Sequence, residues 1–270
     1  MSRSRPRMGN GRRMLLAAGL ALLVLAAVAA GLFAAARPGG VGGWLGGGSP
    51  PGGTSSGAAG GASNEKAGTD AAPGGDGPLV AFIGDSYTAG SGPVPREGTW
   101  AARLARAEGW RSLNVAVGGT GYLKEYRADR SRPCAGQLCS TYLTQAAEVV
   151  RAHPDVVIVA GGRNDGPATT PQLDASVDAL YAQLRDGLPE AQIIALSPIL
   201  GADDSPRALA GLRTAVRNAV VREGGTYVDL GAPLAGRPDL ILGDGVHPNA
   251  AGHELLADVT ARLLPPLRRR

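Results

Sequence analysis

Histidine and cysteine are scarce in this chain, with three His and two Cys among 270 residues. Protein zinc sites draw on clustered Cys and His ligands. The two cysteines, Cys134 and Cys139 in SRPCAGQLCST, are separated by four residues rather than the two of a C-x-x-C redox or metal pair, and there is no second pair. No metal is expected. Phosphate-binding signals are missing as well. The run Gly118-Gly119-Thr120-Gly121 lacks the lysine of G-x-x-x-x-G-K-[ST] and does not fit G-x-G-x-x-G, so it gives no support to nucleotide binding. Nor is there a basic stripe for nucleic acid. The net charge of +4 traces to Arg3, Arg5, Arg7, Arg12 and Arg13, whereas residues 77–270 balance 20 basic against 20 acidic side chains.

What is present is divided sharply along the chain. A basic arm over 1–13 leads into an uncharged run from Met14 to Ala36, 23 residues long. As a helix the run would extend about 34 Å, enough to cross a hydrocarbon core of about 30 Å. The arginines before it orient the N-terminus toward the cytoplasm and place everything downstream outside. A cleaved signal peptide is the competing reading, with small-residue sites at Ala27-Val28-Ala29 and Ala34-Ala35-Ala36. Both readings export the rest of the chain, either on a single-pass plasma-membrane anchor or secreted. From 37 to 77 the Gly/Ala/Ser/Pro-rich sequence has almost no large apolar residues and reads as a disordered tether. Within it, Trp44 and Leu45 lie close to the apolar run, where an indole suits a membrane interface. Outside the cytoplasm, Cys134 and Cys139 are expected to form a local disulfide worth about 2 kcal/mol, stapling a loop without taking part in chemistry.

From residue 78 onward, short apolar runs alternate with longer amphipathic ones, the pattern of strands and helices in a parallel α/β sheet. Strands are predicted at Leu79 to Ile83, Leu113 to Val117, Val156 to Ala160, Gln192 to Leu196 and Thr226 to Leu230. Helices are predicted at Thr99 to Ala107, Thr141 to Ala152, Pro171 to Asp186, Ser205 to Arg222 and Ala250 to Leu264. The third of these sets Leu173, Val177, Leu180, Leu184 and Leu188 at steps of three or four, which turns one face to the sheet. In such a fold, chemistry collects at the carboxyl ends of the strands.

Four segments at those ends carry reactive residue types. GDSYTAGSG (84–92) follows the first strand and exposes Ser86 at a strand-to-loop transition, although Gly, Asp and Ser also suit an ordinary turn or helix cap. NVAVGGTGY (114–122) and AGGRNDG (160–166) follow the second and third strands. Glycine there lets a backbone N–H approach an anionic oxygen closely, and a fixed amide such as Asn164 can add a second hydrogen bond; both segments also read as plain βα turns. DGVHPN (244–249) precedes the last helix, and a carboxylate three residues before a histidine can accept its Nδ1 proton, leaving Nε2 free as a base. Asp244 as a turn cap and His247 as a surface residue is the bland alternative. His153 at a helix end and His253 inside the last helix are weaker candidates. The match Gly53-Thr54-Ser55-Ser56-Gly57 to G-x-S-x-G falls in the tether, without the strand and helix a nucleophile elbow requires.

The order of these four segments resembles the SGNH (GDSL-like) hydrolases over residues 78–270. Gly84, Asp85 and Ser86 match the serine block, Gly119 the glycine block, Gly162 to Asp165 the G-x-N-D block, and Asp244 with His247 the D-x-x-H block. The resemblance implies a three-layer α/β/α sandwich with a flavodoxin-like parallel sheet of about five strands. It implies a serine esterase with a Ser86, His247, Asp244 triad and an oxyanion hole from the Ser86 and Gly119 N–H groups and the Asn164 amide, with Gly118 the alternative glycine. Arg163, beside Asn164, is placed to influence substrate choice. No cofactor is expected, and the catalytic domain is expected to be monomeric. A single phenylalanine in the domain, Phe82, and no extended apolar lid favour short acyl or acetyl esters of small molecules or glycans. Lipase, lysophospholipase or O-acyltransferase chemistry would use the same triad. A non-catalytic glycan-binding module is the alternative of another class.

Overall fold

The structure, a computed structural model, describes residues 68–69, 76–126, 140–167, 169–205 and 207–268. The basic arm, the apolar run over 14–36, Trp44, Leu45, the Gly53–Gly57 match, Cys134 and Cys139 lie outside the described residues. Among the described residues no helix is long and apolar enough to cross a membrane.

Six strands form one sheet: β1 (Gly68–Thr69), β2 (Leu79–Gly84), β3 (Arg111–Asn114), β4 (Val156–Ala160), β5 (Gln192–Leu196) and β6 (Thr226–Val228), in the order β1-β3-β2-β4-β5-β6. All neighbouring pairs from β3 to β6 are parallel. These five strands therefore have the doubly wound arrangement expected, in which the chain starts near the middle and reverses direction between β2 and β4. The helices are α1 (Ser86–Ala89), α2 (Trp100–Ala107), α3 (Tyr142–Ala152), α4 (Pro171–Gly187), α5 (Ala210–Arg222) and α6 (Ala250–Leu263).

Within the span 37–77 expected as a tether, Gly68–Thr69 pairs antiparallel with Leu113 and Asn114. β3 would otherwise be an outer strand with a row of unpaired backbone groups, and a passing segment can satisfy them.

Both faces of the sheet are covered, and for that reason β2 and β4 are almost uniformly apolar. On one face Ala81, Ile83, Val157, Val159 and Ile193 pack against Tyr142, Ala146 and Val149 of α3, Val177 and Leu180 of α4, and Val216 of α5. On the other, Val80, Phe82, Ile158 and Ile194 meet Trp100 and Leu104 of α2 and Leu256 of α6. The Phe82 and Trp100 rings meet edge-on, with centroids 5.7 Å apart. Local signals set the helix starts. Thr99, Thr141, Thr170 and Asn249 each accept a backbone N–H as N-caps, and Pro171 opens α4.

Three elements depart from the expected bounds by two residues or more, and at each a side chain takes over a backbone role. β3 ends at Asn114, whose Oδ1 accepts from the Ala116 N–H and whose Nδ2 donates to the Thr88 carbonyl. β6 stops at Val228, and the Leu230 N–H donates to Ser197 Oγ. α5 starts at Ala210 rather than Ser205, since Asp204 accepts the Gly201 N–H and the Arg163 guanidinium and holds the preceding stretch as a turn.

Candidate active site

The loops leaving β2, β3 and β4 and the loop entering α6 converge at the carboxyl edge of the sheet. β2 delivers Ser86. Asp85 caps α1 by accepting the Tyr87 N–H at 3.0 Å, so the helix begins on the serine itself, and the Ser86 N–H has no intrahelical acceptor. The loop before α6 delivers Asp244 and His247. Asp244 Oδ1 accepts the N–H groups of Val246 and His247 at 2.9 and 3.0 Å, wrapping the loop around the carboxylate. Its other oxygen lies 2.7 Å from His247 Nδ1, and His247 Nε2 lies 2.9 Å from Ser86 Oγ. Burial raises the Asp244 carboxyl, but the hydrogen bonds from the His247 ring and the two backbone N–H groups outweigh it and hold the group at about 2. It is a carboxylate at neutral pH, fit to accept from Nδ1.

The His247 loop is fastened to α1 by a further contact. Tyr87 Oη donates to the Val246 carbonyl at 2.5 Å, from a side chain that is otherwise buried. Burial, ahead of the opposing charge of Arg163, pushes the Tyr87 hydroxyl up to about 12 and keeps it a donor.

The other two sequence blocks frame Ser86 from the opposite side. Gly119 has φ +78°, a left-handed conformation that favours glycine. Its N–H has no acceptor among the described residues. Gly118 is packed against the serine: a Cβ there would lie 3.6 Å from Ser86 Cβ, whereas one on Gly119 would meet the Tyr126 ring at 3.1 Å. Asn164 stands in a short 3-10 turn, Arg163–Asp165. Its Nδ2 donates to the Thr120 carbonyl at 2.9 Å, which fixes the amide and leaves its second N–H free. Arg163 is ion-paired with Asp204.

Several residues to which the sequence assigned no role hold this arrangement. Thr120 and Gln145 are buried; Gln145 accepts the Gly84 N–H at 3.0 Å and donates to Thr120 Oγ1 at 3.0 Å, joining the serine and glycine blocks. Asp165 accepts the N–H groups of Tyr122, Leu123 and Lys124 at 2.7–2.9 Å, joining the asparagine block to the loop after β3. One signal pointed toward Gln145: it shares a face of α3 with Ala146 and Val149, where an apolar residue is the default.

Of the weaker histidines, His253 is buried and accepts the Trp100 N–H at Nδ1, 3.2 Å away, as a structural group. His153 adopts φ +48° as the C-cap of α3. Among the described residues, no group of three or more His, Cys, Asp or Glu side chains could hold a metal ion.

The site is shallow. Ser86 is half-buried, Gly119 and Asn164 are exposed, and the Asp244 side chain is 46% exposed. Leu123 and Val246, on the loops around it, are exposed apolar side chains. A cavity of about 330 Å³ lined by Pro78, Leu104, Trp110 and Leu264 lies at the other end of the strands, away from Ser86.

Comparison with known proteins places these features in company. Residues 82–255 match the model of the GDSL-like Lipase/Acylhydrolase family, a span that holds all four blocks. A GDSL lipase of Mycobacterium tuberculosis, Rv0518, is 31% identical over 195 residues, covering 68% of this chain and 80% of the relative. Among solved structures, the psychrotrophic esterase EstA from Pseudoalteromonas sp. is similar at a TM-score of 0.52 and 18% identity, covering 68% of this chain and 95% of that one. A family two carbohydrate esterase from Cellvibrio japonicus matches at 0.52 and 18%, covering 69% of this chain and 61% of that one. At such identities the two structures speak to fold alone.

Proposed function

The chain belongs to the GDSL-like lipase/acylhydrolase family, and from that premise we propose that it is a serine esterase in which Ser86 is the nucleophile, His247 the general base and Asp244 the group that orients it. The observation that carries the reading is the hydrogen-bonded series Asp244, His247, Ser86, at 2.7 and 2.9 Å. Ser86 Oγ attacks the ester carbonyl carbon while its proton passes to His247 Nε2. The tetrahedral oxyanion is held by the N–H groups of Ser86 and of Gly119 or Gly118 and by the free N–H of Asn164. Collapse breaks the bond to the alcohol, which leaves with the proton from His247, and the acyl group remains on Ser86. Water then attacks this second ester with His247 again as base, releasing the acid and restoring the serine.

The substrates proposed are short acyl or acetyl esters, with glycans among the alcohols. The shallow surface supports this, because it gives a long chain little to bury against while leaving room for a bulky alcohol. The exposed Leu123 and Val246 favour a second reading, longer acyl chains as in a lipase. The arginines preceding the apolar N-terminal run support a location outside the cytoplasm.

The test is hydrolysis of p-nitrophenyl acetate and longer esters by the full chain, with Ser86→Ala as control. Activity confined to the wild type and falling with acyl length is the expected result. Turnover that survives Ser86→Ala would sink the nucleophile assignment, and a maximum at long chains would select the lipase reading.

A further inference from the structure

Tyr142 is the first residue of α3 and carries one of the largest fully buried side chains, yet no sequence block contains it. It touches three of the four blocks. Its backbone N–H donates to the Gly121 carbonyl at 2.9 Å, two residues beyond Gly119. Its hydroxyl lies 3.0 Å from Asp85 Oδ2, next to the nucleophile, and accepts the Gly162 N–H at 2.9 Å, two residues before Asn164. With Gly162 donating into the hydroxyl oxygen, the single phenolic proton points to Asp85. The directions of all three bonds are thereby fixed.

The surroundings are shaped to this hydroxyl. Gly161 has φ +141°, and a Cβ there would lie 2.0 Å from Tyr142 Oη and 2.6 Å from Asp85 Oδ2, so the chain leaving β4 can approach the phenol only as glycine. The Tyr122 ring meets Tyr142 edge-on at 4.9 Å and blocks sideways movement. Burial drives the Tyr142 hydroxyl well above the usual tyrosine range, and it stays protonated.

We propose that Tyr142 is a positioning residue for the oxyanion hole: by bonding to Asp85, Gly121 and Gly162 at once, it holds the donors from three separate loops at one mutual spacing. It touches neither substrate nor reacting atoms. An oxyanion hole works only if its donors are placed before the charge develops, so a few tenths of an ångström at this hub is felt in the transition state and not in the bound ester. The proposal rests on the serine-esterase reading above.

The experiment uses the full chain and p-nitrophenyl acetate. Tyr142→Phe removes one oxygen and keeps the ring. The expected result is a kcat lowered about tenfold or more at unchanged KM. In an Asn164→Ala background the same change should cost clearly less, because the donor it positions is already gone. Asp85→Asn keeps the side-chain shape and withdraws one bond from the hub; it should reproduce the kcat loss, and it decides the matter if Tyr142→Phe does not fold. A kcat within twofold of wild type in the folded variant, a rise in KM that accounts for the loss, or losses that simply multiply with Asn164→Ala would overturn the proposal. Failure of the esterase reading looks different: the wild type is inactive, or Ser86→Ala remains active.

Discussion

Asp244 and His247 stand three residues apart on a half-exposed loop, whereas the groups beneath Ser86 and Asn164 come from separate elements and are buried, apart from a half-buried Asp165. The first arrangement is held largely by its own backbone: Asp244 takes two N–H groups and the imidazole of its near neighbours, and the long-range ties are those of Tyr87 to the Val246 carbonyl and of His247 to Ser86. The second is held by partners far away in sequence. Gly84 reaches Gln145, Asp85 reaches Tyr142, and Tyr122 reaches Asp165. A local, solvated arm can be rebuilt by water when a group is lost, while a buried one leaves unpaired polar atoms that nothing replaces. The two halves of the site should therefore respond differently to damage.

The largest effect tests what the halves share. His247→Ala should lower kcat by about 10⁴-fold or more, since among the described residues the serine hydroxyl has no other base in reach; steady-state assay of the folded variant checks it. Next comes the side that rests on the buried groups. Asn164→Ala should cost about 10²- to 10³-fold in kcat with a nearly unchanged unfolding midpoint, as only one exposed amide is removed; parallel kinetics and thermal melts read the two quantities.

A third effect concerns stability and pH. Burial pushes the Asp85 carboxyl up to about 6 from 3.8, against the hydrogen bonds from Tyr87 and Tyr142. Between pH 4 and 6 the unfolded chain has released a proton the native state keeps, so this group lowers stability as pH rises, by about 3 kcal/mol in all. His253 has the opposite sign. Burial, then the charge of Arg103, lowers it from 6.5 to about 4, and over a similar window the unfolded chain takes a proton the native state declines. Its contribution is present above 6.5 and is lost as pH falls, again by about 3 kcal/mol. The two nearly cancel in the wild type. Asp85→Asn should unmask a stability that climbs with pH from 4 to 6.5, measurable by urea unfolding at a series of pH values.

The smallest effect returns to the exposed arm. Asp244→Ala should reduce kcat only about tenfold, because water can reach His247 Nδ1 and take over as acceptor. A loss as great as that of His247→Ala, in the same kinetic comparison, would erase the contrast between the halves.

The contrast also explains what could be read from the amino acids. β4 and β5 run over the residues expected, Val156–Ala160 and Gln192–Leu196, because strands buried on both faces announce themselves as continuous apolar runs. α4 keeps its predicted start at Pro171, where a threonine cap and a proline coincide. Asp244 and His247 were visible as a pair because their contact is local. Tyr142, Gln145 and Thr120 were not, since their partners lie 25 to 61 residues away and only the sheet topology brings them together. The four-residue helix beginning on Ser86 read as loop, for it is too short to show a period. Choosing between Gly118 and Gly119 turns on backbone direction, which composition does not encode.

The small antiparallel strand at Gly68–Thr69 has a practical consequence for handling this protein. A fragment trimmed to start at the first predicted strand would strip the cover from β3 and leave its backbone groups open to pairing with a neighbouring molecule, a recognised route to aggregation. A fragment that begins ahead of residue 68 keeps that cover. The solubility of the two, compared at equal concentration, would show whether a stretch rich in glycine and alanine also serves as a guard on the edge of the sheet.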